Sequence, residues 1–266
     1  MDAAASRSAP FYNTRSKVHD SRRRLRTSVK SVVKRWLRHA GLDVSRYVRF
    51  AAFDERLSAV LHRLRVNLVI DVGANTGQYA MRLRELGYRG RIVSFEPLAS
   101  AHAKLTVKAH SDPDWNVAPR LALGERSGDI ELKVSANSVS SSVLAMLPSH
   151  LAAAPQSAPC AVETVRLARL DDALTPFLRG GETALLKIDV QGAEDRVLAG
   201  AEHTLARVAA IQAELSLVPL YAGQALMHDI VELLRQRGYG LADVQPAFID
   251  PRDGHLLQLD GLFLRS

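Results

Sequence analysis

The chain of 266 residues has only one cysteine, Cys160, which excludes an internal disulfide and a cysteine-rich zinc site. No apolar run reaches the length of about 18 residues that a transmembrane helix needs. An apolar core typical of a secretory signal is also missing near the start, so we expect a cytoplasmic protein. Apolar residues make up 47% of the chain and charged residues 24%, which excludes a fully disordered chain and a coiled coil.

The positive charge is concentrated near the N-terminus. Residues 1–50 contain 13 Lys and Arg against 3 Asp and Glu, whereas residues 51–266 contain 22 against 25. We therefore predict a basic, partly disordered extension over residues 1–50 and a globular domain over residues 51–266. A nucleic-acid-binding domain usually carries its positive field on the fold itself, so the acidic body argues against nucleic acid as a partner.

Residues 22–38 have the pattern of a basic amphipathic helix. Arginines and lysines surround an apolar face whose members are spaced three and four apart, namely Leu25, Val29, Val32, Val33, Trp36 and Leu37. Such a helix can lie on an anionic membrane through its apolar face, which predicts peripheral membrane contact. The alternative is that the apolar face packs on the domain and the basic face is solvated. The pattern alone leaves both interpretations open.

From about residue 66, short apolar runs alternate with helical patterns. Strand patterns cover residues 68–70, 91–95, 116–121, 130–134, 184–188, 209–215, 239–244 and 259–264. Strands that alternate with helices predict an α/β fold with a mostly parallel sheet and helices on both faces. An Ala-, Pro- and Ser-rich stretch over residues 143–161 interrupts this order, and we expect a surface loop or a lid there.

The strongest motif is DVGANTG over residues 71–77, directly after the first strand pattern. Gly73 and Gly77 allow a tight turn and a close approach of a ligand to the backbone. Glu96 ends the next strand, where a carboxylate can accept hydrogen bonds from both hydroxyls of a ribose. Asp71 would repel a phosphate, but it suits S-adenosylmethionine, which carries a sulfonium and an ammonium group. The motif lacks the pattern of a P-loop, so a P-loop nucleotidase is disfavoured.

In its motifs the chain resembles the FkbM-type methyltransferases, a class I family that depends on S-adenosylmethionine. Residues 70–77, residues 95–97 with 122–128, and residues 186–194 with 197–201 carry the resemblance. It implies a Rossmann-like, seven-stranded sheet whose last strand is antiparallel to its neighbours. It also implies the cofactor-binding residues, with Glu96 at the ribose, Ala122 and Leu123 near the adenine, and Asp71, Gly73, Asn75 and Gly77 around the methionine part.

Methyl transfer to an alcohol needs a base or a metal, because a hydroxyl is a poor nucleophile. Asp189 ends a strand at the rim where ligands bind in α/β sheets, and it is our candidate for the base, for a group that orients the acceptor, or for a metal ligand. Its alternative role is to cap the following helix. On the substrate side we expect Glu214, Ser141, Ser142 and Tyr221. The sequence shows no compact set of metal ligands, which leaves a divalent metal open.

These residues predict an S-adenosylmethionine-dependent O-methyltransferase. The resemblance implies that the acceptor is a hydroxyl of a small molecule, a sugar or a glycolipid. One alternative is an RNA or protein methyltransferase that is tethered by its basic N-terminus. Another is a scaffold that binds the cofactor without catalysis. That interpretation depends on Gln191, where the family often has glutamate.

Overall fold

The computed structural model describes residues 52–266 and the isolated residues 32, 33, 36, 37 and 39. All five are helical, and four of them, residues 32, 33, 36 and 37, fall within the segment 22–38 where the amphipathic pattern predicts a helix. The rest of the segment 22–38 lies outside the described residues, so its contact with a membrane or with the domain stays a prediction. The residues from 52 onward belong to one compact unit. Among the described residues, no helix is long and apolar enough to span a membrane.

The first half of the domain alternates helices and parallel strands. In chain order it contains α1 (Phe53–Arg63), β1 (Leu68–Val72), α2 (Gln78–Glu85), β2 (Arg91–Phe95), α3 (Ala99–Ala109) and β3 (Trp115–Val117). All five residues of β1 are buried, as expected for a central strand that is covered on both faces. The apolar face of α1 is formed by buried residues spaced four apart, Phe53, Leu57 and Leu61.

The segment of chain between these two halves forms a small second sheet. It contains β4 (Ala122–Leu123), β5 (Gly128–Ser135) and β6 (Pro159–Ala168), in the order β4-β6-β5. β5 and β6 are antiparallel, and their last pair joins Ser135 to Pro159. The strand predicted over residues 116–121 is confirmed only for residues 116 and 117, because β3 ends at Val117 and β4 begins only at Ala122. The stretch 143–161 is more ordered than a loop, since it contains α4 (Pro148–Ala153) and the start of β6.

The second half completes the large sheet. It contains α5 (Leu170–Leu174), β7 (Ala184–Ile188), α6 (Glu194–Ala199), α7 (Glu202–Leu205), β8 (Val208–Ser216), α8 (Met227–Arg235), β9 (Tyr239–Ile249) and β10 (Leu256–Arg265). The seven strands of this sheet are ordered β3-β2-β1-β7-β8-β10-β9. β10 is antiparallel to both β8 and β9, whereas the pairs among the first five strands are parallel. The predicted sheet with its reversed last strand is confirmed.

Helices cover both faces of the large sheet, as predicted. One core packs α1, α2 and α3 against strand residues that include Val69 and Leu185. The other core packs α5 to α8 against Ile70, Leu186 and Ile188. Because side chains alternate along a strand, Asp71 and Lys187 point to the same side as Val69 and Leu185. We call that side the α1–α3 face.

The chain order reverses between β1 and β7, which are neighbours in the sheet, and this is where α/β sheets bind ligands. Gly73 lies at this point with a φ of +76°. A Cβ at Gly73 would lie 1.8 Å from the backbone oxygen of Asp189. Only glycine therefore allows the loop after β1 to pass this closely over the end of β7.

We expect Gly73→Ala to destabilise the domain far more than Gly223→Ala does. Gly223 also has a positive φ, +72°, but a Cβ there would meet no atom within 4 Å. The control should lose about 1 kcal/mol from backbone strain alone, and Gly73→Ala at least about 2 kcal/mol more. Urea denaturation followed by circular dichroism measures both losses. Equal losses would show that the close approach to Asp189 is unimportant.

Candidate active site

A cavity of about 330 Å³ opens at the C-terminal ends of β1, β2 and β7. Its volume is that of a small-molecule site. Eight of the predicted site residues line it, namely Gly73, Asn75, Glu96, Ala122, Leu123, Ser141, Ser142 and Asp189. The four others, Asp71, Gly77, Glu214 and Tyr221, do not belong to its lining. Gly77 instead packs against an indole ring, since a Cβ there would lie 2.7 Å from Trp115.

Glu96 presents a buried carboxylate to the cavity. Its Oε2 accepts a hydrogen bond from the Asn75 N–H at 2.7 Å, and its Oε1 accepts one from the Leu98 N–H at 2.8 Å. Burial raises the pKa of Glu96 to about 7, although these two bonds act in the opposite direction. A carboxylate can accept about four hydrogen bonds, so each oxygen retains capacity for a further donor. The arrangement fits two hydroxyls of a ribose.

An apolar wall adjoins Glu96. Leu121, Ala122, Leu123 and Leu132 contribute to this part of the lining, which suits the flat faces of a purine. Arg120 does not line the cavity. Its guanidinium is bound to Glu163 at 2.8 Å.

Asp71 is separated from the cavity by a buried lysine. Lys187 Nζ lies 3.5 Å from Asp71 Oδ1, 3.4 Å from Asp189 Oδ2 and 3.1 Å from the Gly73 carbonyl oxygen. Burial alone would lower the pKa of Lys187, but the carboxylates of Asp189 and Asp71 outweigh it and raise that pKa. Burial raises the pKa of Asp71, against the effect of Lys187. Asp71 thus holds Lys187, and Lys187 lines the cavity.

Gln191 connects Asp189 to residues that do not line the cavity. Its Nε2 donates to Asp189 Oδ1 at 2.8 Å and to Glu214 Oε2 at 3.0 Å. Its Oε1 lies 2.9 Å from the Tyr221 hydroxyl, and its backbone oxygen accepts from Ser142 Oγ at 2.7 Å. Gln191 therefore links Glu214 and Tyr221 to Asp189 by hydrogen bonds. Burial and the nearby carboxylate of Asp189 raise the pKa of Glu214 well above its usual range.

Sequence reasoning missed several residues that line the cavity: Tyr79, Arg82, Lys187, Gln191, Gln212 and Asp260. Two of them had a visible signal, because Lys187 and Gln212 interrupt otherwise apolar strands. Gln191 stood out only because the resembling family often has glutamate there, and its contact with Asp189 depends on the folded loop, where its φ is +57°. Within residues 52–266 no group of three or more His, Cys, Asp or Glu side chains could hold a metal ion.

The large sheet has the strand order and the reversed last strand of a class I methyltransferase, with the Glu96 carboxylate after the second strand. Residues 71–241 match the Methyltransferase FkbM domain. The chain therefore belongs to the FkbM methyltransferase family. The family and the fold imply S-adenosylmethionine as the methyl donor.

One similar protein is the 2-O-methyltransferase NoeI of Sinorhizobium fredii, with 30% identity over 225 residues. The alignment covers 76% of this chain and 89% of NoeI. A putative O-methyltransferase from Klebsiella pneumoniae has 11% identity and a TM-score of 0.45, with 89% of each chain covered. An rRNA methylase from Streptococcus thermophilus has 9% identity and a TM-score of 0.45, with 82% of this chain and 99% of that chain covered. Similarities this low do not distinguish between acceptors.

We expect donor-site affinity to depend on the ionisation of Glu96. With a pKa of about 7, the carboxylate is largely protonated at pH 6 and largely ionised at pH 8. Affinity for S-adenosylhomocysteine should therefore fall roughly tenfold between pH 8 and pH 6, because the protonated acid accepts fewer hydroxyl protons. Isothermal titration calorimetry measures this. Glu96→Gln should bind more weakly and with little pH dependence, and a flat profile in the wild type would contradict the assignment.

We expect Gln191→Glu to be less stable than Gln191→Met, and only at higher pH. Both variants lose the two N–H donors, but Gln191→Glu adds a carboxylate beside Asp189 and Glu214. The two neighbouring carboxylates raise the pKa of the new side chain in the folded protein. The free energy of unfolding therefore decreases as the pH rises above the pKa that this side chain has in the unfolded chain. Urea denaturation at pH 5 and pH 8 separates the two effects. A difference that does not change with pH would disprove the bridging role.

Proposed function

We propose that the protein is an O-methyltransferase that methylates a hydroxyl of a small molecule, a sugar or a glycolipid. The observation that carries this proposal is the position of Asp189. Its carboxylate lines the same cavity as Glu96, and its side chain is 37% exposed. A carboxylate open to the cavity can accept the proton of an acceptor hydroxyl. The name of the relative NoeI, a 2-O-methyltransferase, supports oxygen as the methylated atom.

The residues present fit S-adenosylmethionine. Glu96 would accept the ribose hydroxyls, Leu121, Ala122 and Leu123 would face the adenine, and the loop at Gly73 and Asn75 would hold the methionine part. Gly73 keeps this loop against the end of β7 at the cavity, because a Cβ there would lie 1.8 Å from the backbone oxygen of Asp189. When bound, the donor supplies a methyl group that leaves its sulfonium sulfur with the formation of a carbon–oxygen bond to the acceptor, giving S-adenosylhomocysteine and a methyl ether.

Asp189 takes up the proton that the acceptor hydroxyl loses. Lys187 on one side and Gln191 on the other hold this carboxylate, which limits its rotation. A fixed base near the reacting oxygen lowers the entropic cost of the reaction. The proton then passes from Asp189 to water, since the side chain is partly exposed.

A glycolipid acceptor agrees with the basic amphipathic pattern of residues 22–38. That segment lies largely outside the described residues, and the proposal does not depend on it. No contact of the described residues favours the two alternatives, a tethered RNA or protein methyltransferase and an inactive scaffold.

We expect Asp189→Asn to lower turnover by roughly 10²- to 10⁴-fold, because the amide keeps the shape but cannot accept the proton. Formation of S-adenosylhomocysteine from S-adenosylmethionine, with a panel of methyl glycosides as acceptors, measures it by mass spectrometry. Asp253→Asn serves as the control, since Asp253 lies in the exposed turn between β9 and β10. Full activity of Asp189→Asn would contradict its role as the base.

A further inference from the structure

The cavity continues past Asp189 into a second polar region on the α1–α3 face. Its lining includes Gln212 in β8, Asp260 in β10, and Tyr79 and Arg82 in α2. Gln212 and Asp260 lie on neighbouring strands, because Gln212 pairs with Leu262 and Asp260 lies two residues before it. Their diagonal placement brings the Cα atoms to about 7–8 Å, so one small ring can reach both side chains.

Gln212 is a buried residue with an unused hydrogen-bonding group. It is only 5% exposed, and its Oε1 accepts a hydrogen bond from the Tyr79 hydroxyl at 2.8 Å. Its Nε2 has no hydrogen-bond partner among the described residues, and the residue lines the cavity. Nε2 is not among the buried unpaired atoms of the described residues, so this N–H is open to the cavity and available to water or to a ligand that accepts from it.

Asp260 provides the complementary group. Its Oδ2 accepts a hydrogen bond from Gln245 at 2.7 Å, whereas its Oδ1 has no hydrogen-bond partner among the described residues. One free donor and one free acceptor thus face the same space. A hydroxyl group, which donates and accepts at once, matches this pair better than a group that only accepts.

The charges in this region disfavour an anionic ligand. Among the described residues that line the cavity, the two cations are Arg82, which is paired with Asp54, and Lys187, which is paired with Asp71 and Asp189. Neither cation is therefore available to bind a phosphate or a carboxylate. Asp260, which forms no ion pair with a described residue, would repel both groups.

The region lies beyond the reach of the methyl donor. Glu96 follows β2, while Gln212 and Asp260 lie three and four strands away in the sheet order. At about 4.8 Å per strand, the distance across the sheet from β2 to β8 and β10 is roughly 14 to 19 Å. The distance from β2 to β7, the strand that Asp189 follows, is about 10 Å. The six bonds from ribose C4′ to the carboxyl carbon of S-adenosylmethionine span only about 8 Å. Even when about 4 Å is added for the hydrogen bond from Glu96 to the ribose and for the ring atoms up to C4′, the donor extends only about 12 Å and does not reach Gln212 or Asp260.

We propose that Gln212 and Asp260 form the acceptor subsite, that Tyr79 positions the Gln212 amide, and that the subsite binds a neutral, hydroxyl-rich ring such as an uncharged pyranoside. This inference rests on the proposed function, and it narrows the acceptor class. It excludes acceptors that carry a phosphate or a carboxylate next to the methylated hydroxyl.

Saturation-transfer difference NMR tests the subsite in the full-length protein saturated with S-adenosylhomocysteine. The probes are methyl α-glucopyranoside, methyl α-mannopyranoside and methyl α-galactopyranoside, with glucose 6-phosphate as the anionic comparison. We expect at least one neutral pyranoside to bind and glucose 6-phosphate to give no signal. Gln212→Met and Asp260→Ala should each weaken pyranoside binding by roughly tenfold, because each removes a hydrogen bond to the ring. Gln236→Met, at an exposed glutamine of the surface, should bind like the wild type.

Calorimetry with S-adenosylhomocysteine on the same variants separates the subsite from the donor site. Unchanged donor-site affinity, together with lost pyranoside binding, supports the proposal and shows that the variants are folded. Reduced affinity for S-adenosylhomocysteine would assign the region to the donor and overturn it. Binding of glucose 6-phosphate alone, of no pyranoside, or of pyranosides equally to both variants would also overturn it. In each of these cases, wild-type binding of S-adenosylhomocysteine and the loss of turnover in Asp189→Asn would leave the O-methyltransferase function standing.

Discussion

The site depends on one buried cation. Lys187 lies in the middle of the sheet and contacts the carboxylates of Asp71 and Asp189 as well as the Gly73 carbonyl oxygen. A charge this deeply buried is tolerated only when opposite charges and hydrogen bonds surround it. Lys187 therefore connects the end of β1, the loop at Gly73 and the end of β7. Without it, Asp71 would be a buried carboxylate with one hydroxyl partner, Ser94.

The same arrangement explains why polar chemistry is confined to one face of the sheet. Ser94, Asp71, Lys187 and Gln212 occupy paired positions on four neighbouring strands, so their side chains form a row on the α1–α3 face. The row continues into α2, because the Tyr79 hydroxyl donates to Gln212. The opposite face at this level is filled by aliphatic side chains such as Ile188 and Ala213. The cavity, including the polar region beyond Asp189, thus adjoins a single row of polar side chains.

Sequence patterns predict the large sheet well and the small one poorly. Residues 91–95 and 184–188 are mostly apolar runs, and the structure reproduces both strands with the same bounds. β6 was missed because it begins at Pro159 within an Ala-, Pro- and Ser-rich stretch, and most of its first half is exposed. For the site, the loop at Gly73 and the position of Glu96 follow from local sequence. The link from Asp189 through Gln191 to Glu214 does not, since it joins residues of two strands by a side-chain contact.

Ser135 and Pro159, the last pair of β5 and β6, allow members of the family to differ in the segment between these two residues. Residues 136–158 leave β5 after Ser135 and return to β6 at Pro159, and these two residues are partners in the ladder. The two ends of the segment are therefore only about 5 Å apart. A segment with adjoining ends can change in length or composition without moving the strands that carry it. Since Ser141 and Ser142 of this segment line the cavity, a change in this one segment can reshape the cavity wall while the loop at Gly73 stays intact.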